Sequence, residues 1–291
     1  GTIILIENVR FFAGEKQPTQ SFVNELKQLA EFYVNDAFGA LHRSDSSIAA
    51  LAYAFDSAHR SIGLLVEKEL TALQPLIHNP PKPFTLIVGG AKLKTKISLL
   101  LSLVEKVDSI LLCPALVFTF LKAQNKPVGK SLIDNSLIDT CNEIIEKAKK
   151  NKTSLIFPLD YQVARHDKNG VLSFTETIAQ DQMGISIGPK TIHSYVEKIN
   201  ESAVALYNGA MGFLDNPNTM YGMNGILLGL AQMSGMSYVT GGDSVAALHE
   251  ASIKGIDYTI SGGGAALTLI AHEPLPGLEP FLENGTKTHN S

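Results

Sequence analysis

Four apolar runs that predict buried strands are each followed by glycines and then by a helical pattern. The four turns are Gly89-Gly90, Asn208-Gly209, Gly241-Gly242 and Gly262-Gly-Gly264. Glycine lets backbone N–H groups approach an anion closely, and a helix N-terminus behind it adds about half a positive charge. One such turn is more often only a tight turn. Four turns that converge at one sheet edge favour a phosphate-rich ligand.

Charged side chains beside these turns indicate the same chemistry. Lys92 and Lys96 are four residues apart at the start of the predicted helix after Gly89-Gly90, so they share a face. They are either solvated surface lysines or partners of an anion, and cations at a helix N-terminus oppose its dipole unless an anion offsets them. Asp243 follows Gly241-Gly242 and is either a helix N-cap or a magnesium ligand.

Two arginines stand at predicted strand ends in the first part of the chain. Arg10 follows the first apolar run, and Arg43 follows the turn that contains Asn35 to Gly39. Lone arginines are usually surface charges. Two of them at strand ends could instead clamp a phosphorylated substrate.

The elements that position these residues alternate between strand and helix. Strands are predicted at residues 2–6, 32–34, 84–88 and 109–112 and near residues 154, 185, 203, 238 and 259. Helices are predicted at about 20–32, 46–55, 64–77, 94–106, 116–124 and 136–150. This alternation predicts a mostly parallel sheet covered on both faces, with ligands at the carboxyl ends of its strands.

Composition excludes several classes of protein. With 291 residues, 45% of them hydrophobic and 18% charged, the chain has enough apolar material for a core and favours two domains. The net charge of -4 gives no general nucleic-acid footprint. No apolar stretch is long enough to span a membrane and no secretory signal is visible, so we expect a cytoplasmic protein.

Two familiar nucleotide motifs are incomplete. Gly129-Lys-Ser131 resembles the end of a Walker A loop, but Gln124 occupies the position of its first glycine. The run Gly262-Gly-Gly264 lacks the third glycine of a dinucleotide fingerprint, because Leu267 stands there. An NAD-dependent dehydrogenase is therefore only a distant third hypothesis for the function. Any nucleotide site in this chain is of a kind other than these two motifs.

Taken together, the motifs resemble those of the phosphoglycerate kinase family, in order from about Thr2 to Leu278. They are Leu5 to Phe11, Val34 to Gly39 with His42-Arg43, Val88 to Lys92 with Lys96, Val117 to Phe120, Asn208 to Gly212, Gly241 to Ser244 and Gly262 to Ala265. The resemblance implies an α/β fold of two doubly wound parallel-sheet (Rossmann-like) domains joined by a long helix. It also implies reversible phosphoryl transfer between 1,3-bisphosphoglycerate with ADP and 3-phosphoglycerate with ATP, dependent on Mg²⁺, in a monomer whose domains close about a hinge.

The resemblance further implies a role for each matching residue. Arg10 and Arg43 resemble the arginines that bind the phosphate of 3-phosphoglycerate. The resemblance implies catalytic roles for Lys92, Lys96, Gly263 and Gly264. It implies nucleotide binding by Gly90, Ala91, Lys92, Lys96, Asn208, Asp215, Gly241, Gly242, Asp243 and Ser244. Among these, Asp215 would bind the ribose and Asp243 the metal ion.

The same resemblance predicts the domain boundaries. Residues 1–66 would belong to the domain that binds 3-phosphoglycerate, with the tail 274–291 packing back on it. Residues 67–82 would form the interdomain helix and linker, and residues 83–273 the nucleotide-binding domain. The family begins about a hundred residues before Gly1, so we expect the N-terminal domain to be incomplete.

Some positions depart from the family pattern. Cys113-Pro-Ala115 replaces a glycine run on the adenine side, Tyr207 a tryptophan, Ala210 a proline, Ser186 an aspartate, and Asp215 a glutamate. They indicate a divergent member with altered nucleotide affinity. Two hypotheses stay open: an active phosphoglycerate kinase, or a nucleotide-binding protein without catalytic activity, a pseudokinase.

Overall fold

The computed structural model describes residues 3–282. The described residues divide into two compact units, one formed by the residues up to Gln74 with those from His272 to Leu282, the other by Pro75–Ala271. The division falls inside one helix, α4 (Leu64–Ile77). Which unit binds which substrate stays a prediction, and residues 283–291 of the predicted C-terminal tail lie outside the described residues.

The first unit has a small parallel sheet made of β1 (Tyr33–Asn35) and β2 (Arg60–Ile62). Before α4 its helices are α1 (Ala13–Lys16), α2 (Gln20–Lys27) and α3 (Leu51–Tyr53). Helix α2 begins where the Thr19 side chain accepts a hydrogen bond from the Phe22 amide, a regular N-cap. It ends at Lys27, earlier than the sequence predicts, and a π-helical turn at Ser46–Ala50 forms the first part of the helix predicted at 46–55.

The prediction of a strand at residues 2–6 is wrong for residues 3–6, the part of this range that the structure describes. Residues 3–8 have no regular structure, and the side chains of Ile3 and Leu5 are 97% and 96% exposed. An apolar run forms a buried strand only when a neighbouring strand takes up its backbone hydrogen bonds. The sheet of this unit contains only β1 and β2 among the described residues, and neither pairs with the run.

The second unit is built on a six-stranded parallel sheet, as the alternation of strands and helices predicts. Its strand order is β11-β10-β9-β3-β4-β5. The strands of this unit are β3 (Phe84–Val88), β4 (Ser109–Leu112), β5 (Ser154–Ile156), β6 (Tyr161–Arg165), β7 (Leu172–Thr175), β8 (Gln182–Ile187), β9 (Val204–Asn208), β10 (Met236–Thr240) and β11 (Tyr258–Ile260). Every residue of β3 and β9 is buried, and alternate side chains face opposite sides, so both faces of the sheet are covered here.

Helices follow most strands of the parallel sheet. They are α5 (Leu93–Leu103), α6 (Leu116–Ala123), α7 (Ile138–Asn151), α8 (Pro189–Asn200), α9 (Tyr221–Gln232), α10 (Gly242–Glu250) and α11 (Gly263–Ile270), and α12 (Glu279–Leu282) belongs to the first unit. Tyr195 of α8 and Ile226 of α9 pack with Tyr207 and Val239 in the main core. No helix in the described range has the length and apolar character needed to cross a membrane.

A second sheet of this unit, with order β7-β6-β8, is antiparallel and was missed by the sequence analysis. The predicted strand near Ile185 is β8 of this sheet, not part of the parallel one. Its partner β6 contains Gln162, whose amide donates to the carbonyl of Asn218 at 2.8 Å. A polar residue inside a buried strand breaks the apolar run by which such strands are recognised.

Candidate functional site: a phosphate-binding sheet edge

The four glycine turns lie side by side, as the sequence analysis expected. They follow β3, β9, β10 and β11, which are neighbours in the sheet. The last residues of these strands are also in register, since Val88 pairs with Asn208, Asn208 with Thr240, and Thr240 with Ile260. All four turns therefore leave the sheet at the same level.

Two of these turns require glycine for measurable reasons. Gly209 has a φ of +105°, and a Cβ there would lie 2.0 Å from the Nζ of Lys96. Gly241 has a φ of +96° and precedes the first turn of α10. At Gly242 a Cβ would meet no described atom within 4 Å, so the space in front of this turn is open.

Three helices start at this edge without a side-chain cap. The N-cap residues of α5, α10 and α11 are Lys92, Gly241 and Gly262, and none of them accepts a hydrogen bond from its helix through a side chain. Apart from Leu93, whose amide donates to the Ala91 carbonyl at 2.9 Å, the first-turn N–H groups of these helices therefore need another acceptor. Phosphate oxygens are suitable acceptors, and the helix dipoles favour their negative charge.

Lys96 supplies a partly buried positive charge among these termini. Its ammonium donates hydrogen bonds to the carbonyl oxygen of Gly89 and, at 3.3 Å, to that of Asn208. Burial, and then the charge of Lys92, lower the pKa of Lys96 to about 8, while the neighbouring Cys113 and Asp243 act in the opposite direction. A partly buried cation with only carbonyl partners is incompletely compensated, so a bound anion would stabilise its charged form.

Asn208 joins three elements at this edge. Its side-chain amide donates to the hydroxyl of Thr240 at 2.8 Å and to the carbonyl of Gly263 at 3.1 Å. It thereby connects the ends of β9 and β10 with the start of α11. Thr240 was missed by the sequence analysis, and the only signal for it was a polar residue directly before Gly241-Gly242.

Asp243 is available for a metal ion because it does not cap the helix. The N-cap of α10 is Gly241, so the interpretation of Asp243 as the cap is wrong. The Asp243 side chain is exposed in the first turn of α10, and the next residue, Ser244, accepts a hydrogen bond from the amide of Gly209 at 3.3 Å. No group of three or more His, Cys, Asp or Glu side chains suited to a metal ion occurs in the described range.

The remaining residues of the predicted nucleotide site flank this edge. Gly90 adopts a φ of +94°, and Ala91 and Lys92 are exposed at the start of α5. Gly264 lies in the first turn of α11. Asp215 lies on the loop after β9, where its carboxylate is 4.0 Å from the Nζ of Lys168 and its side chain is 77% exposed.

Two of the residues that depart from the family pattern, Cys113 and Tyr207, pack into the protein interior. Cys113 and Tyr207 belong to the main core. Gly89 packs closely against the Cys113 segment, since a Cβ on Gly89 would lie 2.6 Å from the carbonyl oxygen of Pro114. The Cys113 side chain therefore contributes to packing behind the turn, and burial raises the pKa of its thiol.

In the first unit, the two predicted substrate arginines are near one loop. The guanidinium of Arg10 forms an ion pair with Asp45 at 3.0 Å, and Asp45 is two residues after Arg43 in the sequence. Arg43 is exposed. The structure thus connects Arg10 to the segment that carries Arg43.

This combination of a parallel α/β sheet, uncapped helix N-termini and a partly buried lysine is typical of a class of protein that binds phosphate groups at the carboxyl edge of its sheet. The family profile of phosphoglycerate kinase matches residues 1–273. Because this match spans most of the sequence, the chain belongs to the phosphoglycerate kinase family.

Individual relatives agree with this assignment. A phosphoglycerate kinase of Bdellovibrio bacteriovorus is 36% identical over 286 residues, which cover 95% of this chain and 70% of the relative. One of Tropheryma whipplei is 39% identical over 288 residues, covering 95% of this chain and 71% of the relative.

Solved structures extend the agreement to the fold. Phosphoglycerate kinase from Coxiella burnetii superposes with a TM-score of 0.78 at 30% identity and covers 94% of this chain and 71% of its own. The enzyme from Pyrococcus horikoshii, at 24% identity and a TM-score of 0.80 over 94% of this chain and 71% of its own, supports the fold alone. The two-domain Rossmann-like fold is confirmed by these comparisons.

Proposed function

We propose that the chain is a glycolytic phosphoglycerate kinase, which transfers a phosphoryl group reversibly between 1,3-bisphosphoglycerate with ADP and 3-phosphoglycerate with ATP. The observation that carries the proposal is Lys96, a partly buried ammonium at a sheet edge where three helices begin uncapped. A nucleotide polyphosphate supplies the acceptors and the negative charge that this edge lacks. Membership of the family supports the choice of reaction.

The nucleotide phosphates bind against the glycine turns. Backbone amides of Ala91, Gly242 and Ser244 are the donors, and the open space in front of Gly242 leaves room for the ligand. The amides of Gly90 and Gly241 instead donate to the carbonyls of Pro114 and Ile260, at 2.8 and 2.9 Å, and shape the turns. Asn208 lies at the centre of this edge. Asp215 accepts from the ribose hydroxyls, for which its exposed carboxylate on the loop after β9 is suited.

Lys92, Lys96, Gly263 and Gly264 act on the transferred phosphoryl group. The two lysines neutralise its charge, and the first amides of α11 donate hydrogen bonds to its oxygens. The reaction then needs no covalent enzyme intermediate, because in-line transfer is accelerated by positioning and by preorganised charge. A partly buried Lys96 is effective in this role because charge interactions are stronger where less water surrounds them.

The residues present fit a magnesium ion that arrives with the nucleotide. Mg²⁺ usually takes one or two carboxylates together with substrate phosphates, rather than a cage of protein ligands. Asp243 offers one exposed carboxylate, which matches the absence of a larger ligand cluster in the described range. When bound, the ion would neutralise phosphate charge.

The first unit binds 3-phosphoglycerate through Arg10 and Arg43. Guanidinium groups pair with phosphate in a bidentate geometry. The ion pair with Asp45 holds Arg10 in place, while the exposed Arg43 is accessible to the substrate.

We further propose a cytoplasmic monomer that binds no nucleic acid and no membrane. The net charge of -4 supports the absence of nucleic-acid binding. One relative, from Nicotiana tabacum, is named as the cytosolic enzyme; it is 38% identical. Sedimentation equilibrium of the purified chain tests the oligomeric state, and a concentration-dependent mass would contradict it.

Calorimetric titration with MgADP tests the nucleotide site, with NAD⁺ as the control ligand. We expect MgADP to bind at one site per chain and NAD⁺ not to compete. Equal binding of both ligands, or of neither, would exclude the proposed site.

A further inference from the structure

We infer that Thr240 is a positioning residue that fixes the side-chain amide of Asn208 and, through it, the start of α11. The inference rests on the proposed function for its catalytic consequence. Its structural basis is the chain of hydrogen bonds that begins at Asn208 and passes through the hydroxyl of Thr240.

The direction of every bond in this chain is determined by its chemistry. The Thr240 hydroxyl donates to the carbonyl of Tyr207 at 3.0 Å, so its oxygen is the acceptor for the Asn208 amide. The second bond of the amide ends on the carbonyl of Gly263, which can only accept. The Nδ2 atom must therefore face both groups, and the two ends of the Asn208 amide cannot be exchanged.

Both amide hydrogens of Asn208 are consequently used inside the protein. Its Oδ1 accepts no hydrogen bond from the described residues, although Asn208 is only 2% exposed. Asn208 thus acts as a brace between strand ends and helix start rather than as a donor to the nucleotide. The donors that reach the phosphoryl group are the amides of α11, which the brace holds beside Gly241.

The contact between the two turns is tight enough for the brace to matter. A Cβ on Gly263 would lie 2.6 Å from the Nδ2 of Asn208 and 2.9 Å from the Cα of Gly241. Loss of the Thr240 hydroxyl leaves one amide hydrogen of Asn208 without its partner in a buried place. The amide would then rotate or shift, and the first turn of α11 would move with it.

Three variants separate this role from general stability. Thr240→Val removes the hydroxyl with little change of shape, and Thr240→Ser retains it. Thr85→Val is the matched control, because Thr85 is a fully buried threonine in the same sheet whose hydroxyl bonds to Ser202 at 2.7 Å, near the amino end of β3. Turnover, MgADP affinity and the NMR signals of the Asn208 side-chain amide, assigned with Asn208→Ala, are measured for each.

For Thr240→Val we expect turnover to fall about tenfold, with MgADP affinity changed by less than about threefold. The two Asn208 amide protons should exchange faster with solvent, and the backbone signals of Gly263 and Gly264 should move. Thr240→Ser and Thr85→Val should match the wild type in all of these readouts.

Opposite results would overturn the inference. They are unchanged amide signals in Thr240→Val, equal losses in Thr240→Ser, or equal losses in Thr85→Val. A wild-type chain that binds no MgADP would instead refute the proposed function, and the amide signals would still decide whether Thr240 orients Asn208.

Discussion

The ammonium of Lys96 occupies the space that a side chain on residue 209 would need, since a Cβ on Gly209 would lie 2.0 Å from Lys96 Nζ. The lysine was recognisable from its spacing to Lys92, but the reason for the glycine was not. The turn after β9 is thus shaped to admit the cation.

Gly209→Ala should destabilise the fold and displace Lys96. A residue with a side chain at a φ of +105° costs about 1–3 kcal/mol, before any overlap with the ammonium is counted. Thermal unfolding monitored by circular dichroism measures the loss. Gly242→Ala is the stability control, because its Cβ meets no described atom within 4 Å; equal destabilisation in both variants would contradict the account.

Nucleotide binding near pH 8 should take up a proton at Lys96. In the protein without nucleotide, burial lowers the pKa of Lys96 to about 8, so at pH 8 this side chain is neutral in roughly half of the molecules. A bound phosphate raises the pKa of Lys96. Uptake should therefore be about half a proton at pH 8 and should vanish as the pH falls well below 8, where Lys96 is already charged. Calorimetry in two buffers of different ionisation enthalpy measures it.

The matched variant for this measurement is Lys96→Met, which keeps much of the aliphatic stem and lacks the titrating group. The difference in proton uptake between wild type and variant isolates Lys96 from the ionisation of the nucleotide. If both proteins take up the same number of protons at pH 8, Lys96 does not face the phosphates.

Asp243→Asn should remove the magnesium dependence of ADP binding. In the wild type we expect Mg²⁺ to strengthen binding, whereas ADP without metal should bind Asp243→Asn at least as well as the wild type, because a negative charge near the phosphates is gone. Titrations with and without Mg²⁺ measure this. Glu250→Gln, at the exposed far end of α10, is the control and should retain full magnesium dependence.

Arg43→Ala should weaken 3-phosphoglycerate binding and leave MgADP affinity unchanged. Removal of one charge-assisted contact to phosphate costs about 1.5–3 kcal/mol, which corresponds to about a tenfold to hundredfold rise in KM for the acid. Steady-state kinetics with each substrate varied in turn provides the measurement. A rise in the KM of the nucleotide alone would place Arg43 at another site.

The sequence predicted the parallel sheet well because its strands are continuous apolar runs. The predicted bounds of β3 and β4 match the structure, and the four glycine turns lie together as expected. The reason is physical: strands buried on both faces need unbroken apolar sequence, and their carboxyl ends share one edge.

The features that were missed depend on contacts that no local pattern reveals. Strand β6 contains the buried Gln162, which is satisfied by the distant Asn218 carbonyl. The residues from Ile3 to Ile6 look like a strand but have no pairing partner among the described residues. The role of Thr240 depends on the register of β9 and β10, which places it beside Asn208.

Phosphoryl transfer by the purified chain tests the central claim most directly. ATP, Mg²⁺ and 3-phosphoglycerate are mixed with the wild type or with Lys96→Ala, and phosphorus NMR follows the formation of ADP and the acyl phosphate. We predict transfer by the wild type and a loss of at least about a hundredfold in Lys96→Ala with its fold intact. Binding of MgADP without any transfer, or unchanged transfer by Lys96→Ala, would contradict the account.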